Sequence, residues 1–186
     1  MEHSSLAGGF TDPPQESAQA FRGIMRAMAC PGTICDVAGA VPPAPLSVAA
    51  GTVLITLADH DTGIHLAGHY NVQAVRDWIT FQTGAPLVDA TDAQFVLGTW
   101  EDIDLSNLAV GTAEYPDRSA TVIVDLPVLN AEGATLKGPG IRDVARLNLP
   151  DLETFRRNAT LFPLGLDFMF TCGARIAALP RSTKVS

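Results

Sequence analysis

Leu164-Gly165-Leu166-Asp167-Phe168-Met169-Phe170-Thr171, then Cys172-Gly173, then Arg175-Ile176-Ala177-Ala178-Leu179: two apolar runs of strand length meet at a Cys-Gly joint near the end of the chain. Glycine enters positive φ at no steric cost, so the joint reads as a turn. Two such runs on either side of it predict a buried hairpin at the centre of a sheet. Just before them, Leu152, Phe155, Ala159 and Phe162 fall on one face of a predicted helix over residues 152–162, with Arg156 and Arg157 off that face. Further upstream an apolar strand, 134–137, runs into the loop Gly138-Pro139-Gly140.

Working outward, residues 121–126 are β-branched and apolar on both faces, which predicts a central strand. Shorter strands are expected at 33–37, 64–67 and 94–98, and a single helical turn at 104–108. Residues 46–58 are almost continuously apolar, and their length favours a buried helix over a strand. A third helix is expected to begin at Asn71 as N-cap, to turn Val72, Val75 and Ile79 inward, and to end before Gly84 and Pro86. The first helix spans about residues 15–29 and stops at Pro31-Gly32. Its stripe Ala18, Phe21, Met25 and Met28 is expected to join the core, with a docking face for another subunit as the alternative.

The whole is an α/β protein, a single domain over residues 15–186 behind an irregular lead-in, 1–14. A chain of 186 residues buries roughly 70% of its unfolded surface, so it needs no disulfide or metal to fold. Cys30, Cys35 and Cys172 are an odd number without Cys-x-x-Cys spacing, and residues 1–11 lack a basic and an apolar leader segment. Both features fit a reduced, cytoplasmic protein. No apolar run reaches the ~18 residues of a membrane helix. A formal net charge of -8 argues against nucleic-acid binding. Lys137 and Lys184 are the only lysines, and neither sits in a phosphate-loop or Schiff-base frame, so pyridoxal phosphate is not expected.

Candidate chemistry is sparse. His60, His65 and His69, with Asp59 and Asp61, resemble a ligand cluster. Along an extended segment, however, His65 and His69 would stand about 13 Å apart, too far for one metal. The loop of Asp59, Asp61 and Thr62 offers acceptors to a polar ligand, or an Asx-turn. Lys137 with Gly138 and Gly140 could let backbone amides approach a phosphate. Arg181, Ser182 and Thr183 form a possible anion-binding set, or a strand end held by a salt bridge. Cys30, at the negative end of a helix, and Cys172, between two apolar strands, are poorly placed as nucleophiles. No Gly-x-Ser-x-Gly elbow occurs.

Several stretches together resemble the PhnH family of carbon–phosphorus lyase subunits. They are Phe21-Arg22, Pro31-Gly32, Leu57-Ala58-Asp59-His60-Asp61-Thr62, Phe81-Gln82-Thr83-Gly84-Ala85-Pro86-Leu87-Val88 and Gly111-Thr112. Leu136-Lys137-Gly138-Pro139-Gly140-Ile141, Phe162-Pro163-Leu164-Gly165-Leu166-Asp167, Thr171-Cys172-Gly173 and Ala178-Leu179-Pro180-Arg181-Ser182-Thr183 complete the series. Residues 1–7 lie outside it. The resemblance implies a mixed sheet flanked by helices, similar to the large domain of pyridoxal-phosphate-dependent transferases but without that cofactor. It implies a homodimer and partnership with the G, I and J subunits of the lyase core. With G, I and the ATPase-like L subunit, such a protein would help attach the ribose triphosphate of ATP to methylphosphonate, releasing adenine. Catalytic residues are implied to lie mainly in the I subunit, so none is expected in this chain. A ligand site of its own near Asp59, Asp61 and Arg181 is the alternative.

Overall fold

A computed structural model describes residues 6–186; the first five residues of the expected lead-in lie outside them. Among the described residues, nine strands and four α-helices follow in chain order: α1 Pro13–Ala29, β1 Cys35–Asp36, α2 Val48–Leu57, β2 Ile64–Leu66, α3 Gln73–Thr83, β3 Phe95–Gly98, β4 Thr121–Asp125, β5 Ala134–Lys137, β6 Ala145–Leu147, α4 Leu152–Thr160, β7 Asp167–Cys172, β8 Arg175–Leu179 and β9 Lys184–Val185. Six strands form one mixed sheet in the order β1-β8-β7-β4-β3-β2. Strands β2, β3, β4 and β7 run parallel; β8 runs against them, and β1 pairs antiparallel with β8 at the edge.

The two apolar runs at 164–179 fold as expected into the β7–β8 hairpin, with Cys172 opposite Arg175. Gly173 takes φ 60 at the tip, where a side chain would be strained. Central β4 alternates strictly. Ile123 joins one core with Ile64, Leu97 and Met169, while Val122 and Val124 join a second core with Val96, Phe168 and Phe170. The first core is covered by α1, α2 and α3 through Ala20, Ile24, Ala50, Val53, Val75 and Trp78. The second is covered by Phe155 of α4 and by a separate three-stranded sheet, β6-β5-β9. A strand apolar on both faces therefore marks the middle layer, as its composition demands.

Helix α1 turns differently from expectation. Its buried residues are Ala20, Ile24 and Ala27, while Phe21 and Met25 are 46% and 47% exposed. The large stripe lies one position, about 100°, beyond the small one. Ala20, Gly23 and Ala27 let the helix approach closely, since a Cβ on Gly23 would come within 3.0 Å of Val37. Ile24 is the large side chain buried on that face, and Met28 of the expected stripe packs half-buried against the same core. Glu16 accepts from the backbone N–H of Thr11 and Asp12 at 2.6 and 3.0 Å, holding the helix entry.

Helix α3 also starts one residue late. Val72, not Asn71, occupies the N-cap and carries no side-chain cap; Val72 is exposed, while Val75 and Ile79 are buried as expected, with Trp78 beside them. Asn71 instead accepts from Arg76 at 2.7 Å. Helix α4 ends at Thr160, short of Phe162. That residue precedes Pro163, whose ring disfavours helical geometry in its neighbour, and Phe162 is left 61% exposed. Its place on the inner face is taken by buried Asn158, whose amide bonds both N–H and C=O of Leu166 at 2.8 Å. Strands β6 and β9 are not foreseen from the sequence, being too short to show a period.

Candidate functional site

Parallel strands leave their carboxyl ends open on one edge of a sheet, and ligand crevices of α/β proteins form there. Here that edge carries a crevice of about 740 Å³, within the size range of small-molecule sites. The segment after β2 supplies His69 and Tyr70, that after β3 Thr99, Trp100 and Glu101, and the end of β4 Asp125. The β7–β8 tip supplies Cys172 and Gly173, and the start of α2 supplies Ser47.

Asp125 is the hub. Its Oδ2 accepts from the Tyr70 hydroxyl at 2.9 Å, and its Oδ1 from the Thr171 hydroxyl at 2.9 Å. Tyr70 and Thr171 are buried, at 4% and 0% exposure. Burial first, and the neighbouring Asp125 charge second, push the Tyr70 phenol well above its ordinary value. It therefore stays a proton donor to Asp125 throughout the physiological range. At the rim, Asp102 accepts from Thr99 at 2.9 Å and stands 3.5 Å from His69 Nδ1. Gly68 permits this approach: it has φ 53, and a Cβ there would collide with the Asp102 carboxylate. Trp100 packs on Phe155 and Phe168 with ring centroids 5.0 and 6.3 Å apart, so the aromatic core fixes an indole at the crevice wall.

Residues singled out in the sequence fall elsewhere. Asp59 closes its own turn, accepting from the Asp61 amide at 3.0 Å and the Thr62 hydroxyl at 2.8 Å. The hydroxyl bond, and after it the amide bond, hold the Asp59 carboxyl below the usual carboxylate range. This loop precedes β2, at the amino edge of the sheet, opposite the crevice. Arg181 is on the same edge but beside β7. It pairs with both carboxylate oxygens of Asp167 and donates to the Pro116 carbonyl and Ser119 hydroxyl. Asp167, Thr121, Phe95 and Ile64 are aligned across the strands, so three interstrand spacings, about 14 Å, separate the two sets.

Lys137, Gly138, Ser182 and Thr183 do meet, because β5 pairs with β9. That pairing sets Lys137 opposite Lys184, and the Gly138 backbone approaches Ser182 and Thr183. Gly140 packs instead on the Ala29 carbonyl at the end of α1. Cys172 is not sealed between strands as expected; it is half-buried, lines the crevice and reaches the Pro127 carbonyl at 3.5 Å. Burial pushes the Cys35 thiol up. Among the described residues no group of three or more His, Cys, Asp or Glu converges as for a metal, and no helix is long and apolar enough to cross a membrane.

Sequence reasoning missed Tyr70, Trp100 and Asp125. An acidic residue ending the most apolar strand was the one signal that could have marked the crevice, since carboxyl ends of parallel strands are where α/β proteins place polar groups that bind.

Fold and crevice together define an α/β domain, a six-stranded mixed sheet with a small second sheet on one face, and a polar, aromatic-walled cleft at the carboxyl ends of its parallel strands. A family model described as bacterial phosphonate metabolism protein (PhnH) matches residues 8–186. A relative from Rhizobium meliloti (strain 1021), named alpha-D-ribose 1-methylphosphonate 5-triphosphate synthase subunit PhnH, is 37% identical over 96% of this chain and 94% of its own. A putative C-P lyase subunit protein HtxG from Stutzerimonas stutzeri is 28% identical over 94% of this chain and 87% of its own. The chain belongs to the PhnH family.

Proposed function

We propose that this chain is the H-type subunit of a carbon–phosphorus lyase machinery, serving the synthase step in which the ribose triphosphate of ATP is transferred to methylphosphonate. In that step the bond between adenine and C1′ of ribose breaks, a phosphonate oxygen bonds to C1′, and adenine leaves with a proton. The observation that carries the reading is the end-to-end likeness to the Rhizobium synthase subunit, 37% identical over 96% of the chain. The partners are the G-, I- and L-type subunits for the reaction, with G, I and J in the core assembly and a second copy of this chain as dimer mate. The setting is the cytoplasm. The chain contributes surface and a cleft rather than the bond-breaking residues, and it acts without pyridoxal phosphate, although its sheet is akin to the large domain of enzymes that use it.

Adenine release from ATP and methylphosphonate tests this directly. This protein alone is expected to release none. A mixture with the G-, I- and L-type subunits is expected to release adenine, and omitting this protein should abolish the reaction. Release by the isolated chain would refute the subunit reading. A ligand site spanning Asp59, Asp61 and Arg181 has less support than the crevice, since a ligand would have to bridge about 14 Å between groups already bonded to their own neighbours.

A further inference from the structure

We propose that the carboxyl-edge crevice binds a neutral nucleoside, its flat ring against Trp100 and its hydroxyl or amino donors on Asp125, with any polyphosphate excluded. The acceptor is built in. A carboxylate has about four lone-pair sites, and Asp125 spends two of them, one on Tyr70 and one on Thr171. The remaining sites are open to donors from the crevice, which Asp125 itself lines. A ribose hydroxyl or an exocyclic amine supplies them. Tyr70 and Thr171, both buried, hold the carboxylate in place, so a ligand meets it without reorganisation. Trp100 is anchored on Phe155 and offers a platform on which a heterocycle stacks, worth about 1–3 kcal/mol per base in nucleic-acid sites.

Charge decides against the phosphate end. Among the described residues none that lines the crevice is Lys or Arg, whereas Glu101 and Asp125 both do. The start of α2 is a poor substitute, because two of its first-turn amides, those of Ala49 and Ala50, are already used. Ala49 N donates to the Gly173 carbonyl at 2.8 Å and Ala50 N to the Ser47 hydroxyl at 3.2 Å. Like charges brought together in a half-buried site repel strongly. A link between this nucleoside and the ATP of the synthase step rests on the subunit reading above; the binding chemistry itself does not.

Titration of the full-length protein with adenosine, adenine, ribose and ATP, followed by intrinsic tryptophan fluorescence and by calorimetry, tests the assignment. Adenosine is expected to bind at least about tenfold tighter than ATP. Asp125→Asn should weaken adenosine by a similar factor while the circular dichroism spectrum is kept. Should that variant fail to fold, Glu101→Lys at the exposed rim serves instead; it is expected to raise ATP affinity and so narrow the preference for adenosine over ATP. ATP binding as tightly as adenosine, or no adenosine binding at millimolar concentration, would overturn the proposal. Ribose matching adenosine would overturn the stacking role of Trp100. If the reconstituted mixture releases adenine but the crevice binds no adenosine, this inference falls and the subunit reading stands. If the crevice binds adenosine but the reconstituted mixture releases no adenine, the subunit reading falls and this inference stands.

Discussion

Asp151 shows how much a single side chain settles locally. It caps α4, accepting from the Glu153 amide at 3.0 Å, the Thr154 amide at 3.4 Å and the Thr154 hydroxyl at 2.7 Å. The Thr154 hydroxyl bond is the main reason its carboxyl lies below the usual range, with Arg157 adding a little. Replacing an N-cap aspartate by alanine costs about 1 kcal/mol, and Asp151→Ala is expected to lower stability by that amount in urea unfolding at pH 7. The carboxyl binds its proton more weakly folded than unfolded, so its contribution is complete above the unfolded value, about 3.9. It fades as pH falls through the folded one. The difference between wild type and variant should therefore shrink on acidification below about pH 4. A constant difference across that range would show that packing, not the cap, accounts for it.

At the scale of elements, an aromatic contact joins α4 to β7. Phe155 stands edge-on to Phe168 and Phe170, with centroids 5.0 and 5.7 Å apart, and it also supports Trp100. Truncating a buried Phe to Ala costs about 3–5 kcal/mol through lost transfer energy and the cavity left behind. Phe155→Ala is expected to show a loss of that size in denaturant unfolding, and to red-shift Trp100 emission as the indole loses its support. A loss below about 1 kcal/mol would mean that α4 is not packed as described. Helix α4 could be read in advance because Leu152 and Phe155 followed by Arg156 and Arg157 is an amphipathic pattern. Helix α1 could not be read in the same way. Pattern reading follows the large residues Phe21 and Met25, whereas the close approach of α1 is made by Ala20, Gly23 and Ala27 around a single large residue, Ile24.

For the whole molecule, the surface left apolar by α1 is the feature that packing does not use. Met25 and Phe162 line one shallow groove of about 430 Å³ together with Met28 and Pro139, and Phe21 lies a turn away on the same helix. Contiguous exposed apolar surface is uncommon on monomers and frequent at subunit contacts. Sedimentation equilibrium of the isolated protein is expected to give twice the 19.6 kDa chain mass. The double substitution Met25→Lys with Phe162→Ser should move it toward monomer without changing the circular dichroism spectrum. A monomer throughout the micromolar range would count against the dimer.

The sequence by itself determined what depends on neighbours in the chain. It settled the β7–β8 hairpin with glycine at its tip, and the two-faced apolar β4 at the centre of the sheet. It also settled the buried α2 and, through its ordered series of motifs, membership in the PhnH family. Period, turn chemistry and capping are short-range properties, and they are written in consecutive residues. Only the tertiary structure decided which face of α1 is buried, that Arg181 is committed to Asp167, and that the chain's two lysines face each other across β5 and β9. Only it assembled the crevice, because Tyr70, Trp100, Asp125 and Thr171 come from the ends of four parallel strands dozens of residues apart. What unites them is strand order and register, set by burial of two cores at once, and no local pattern carries that information.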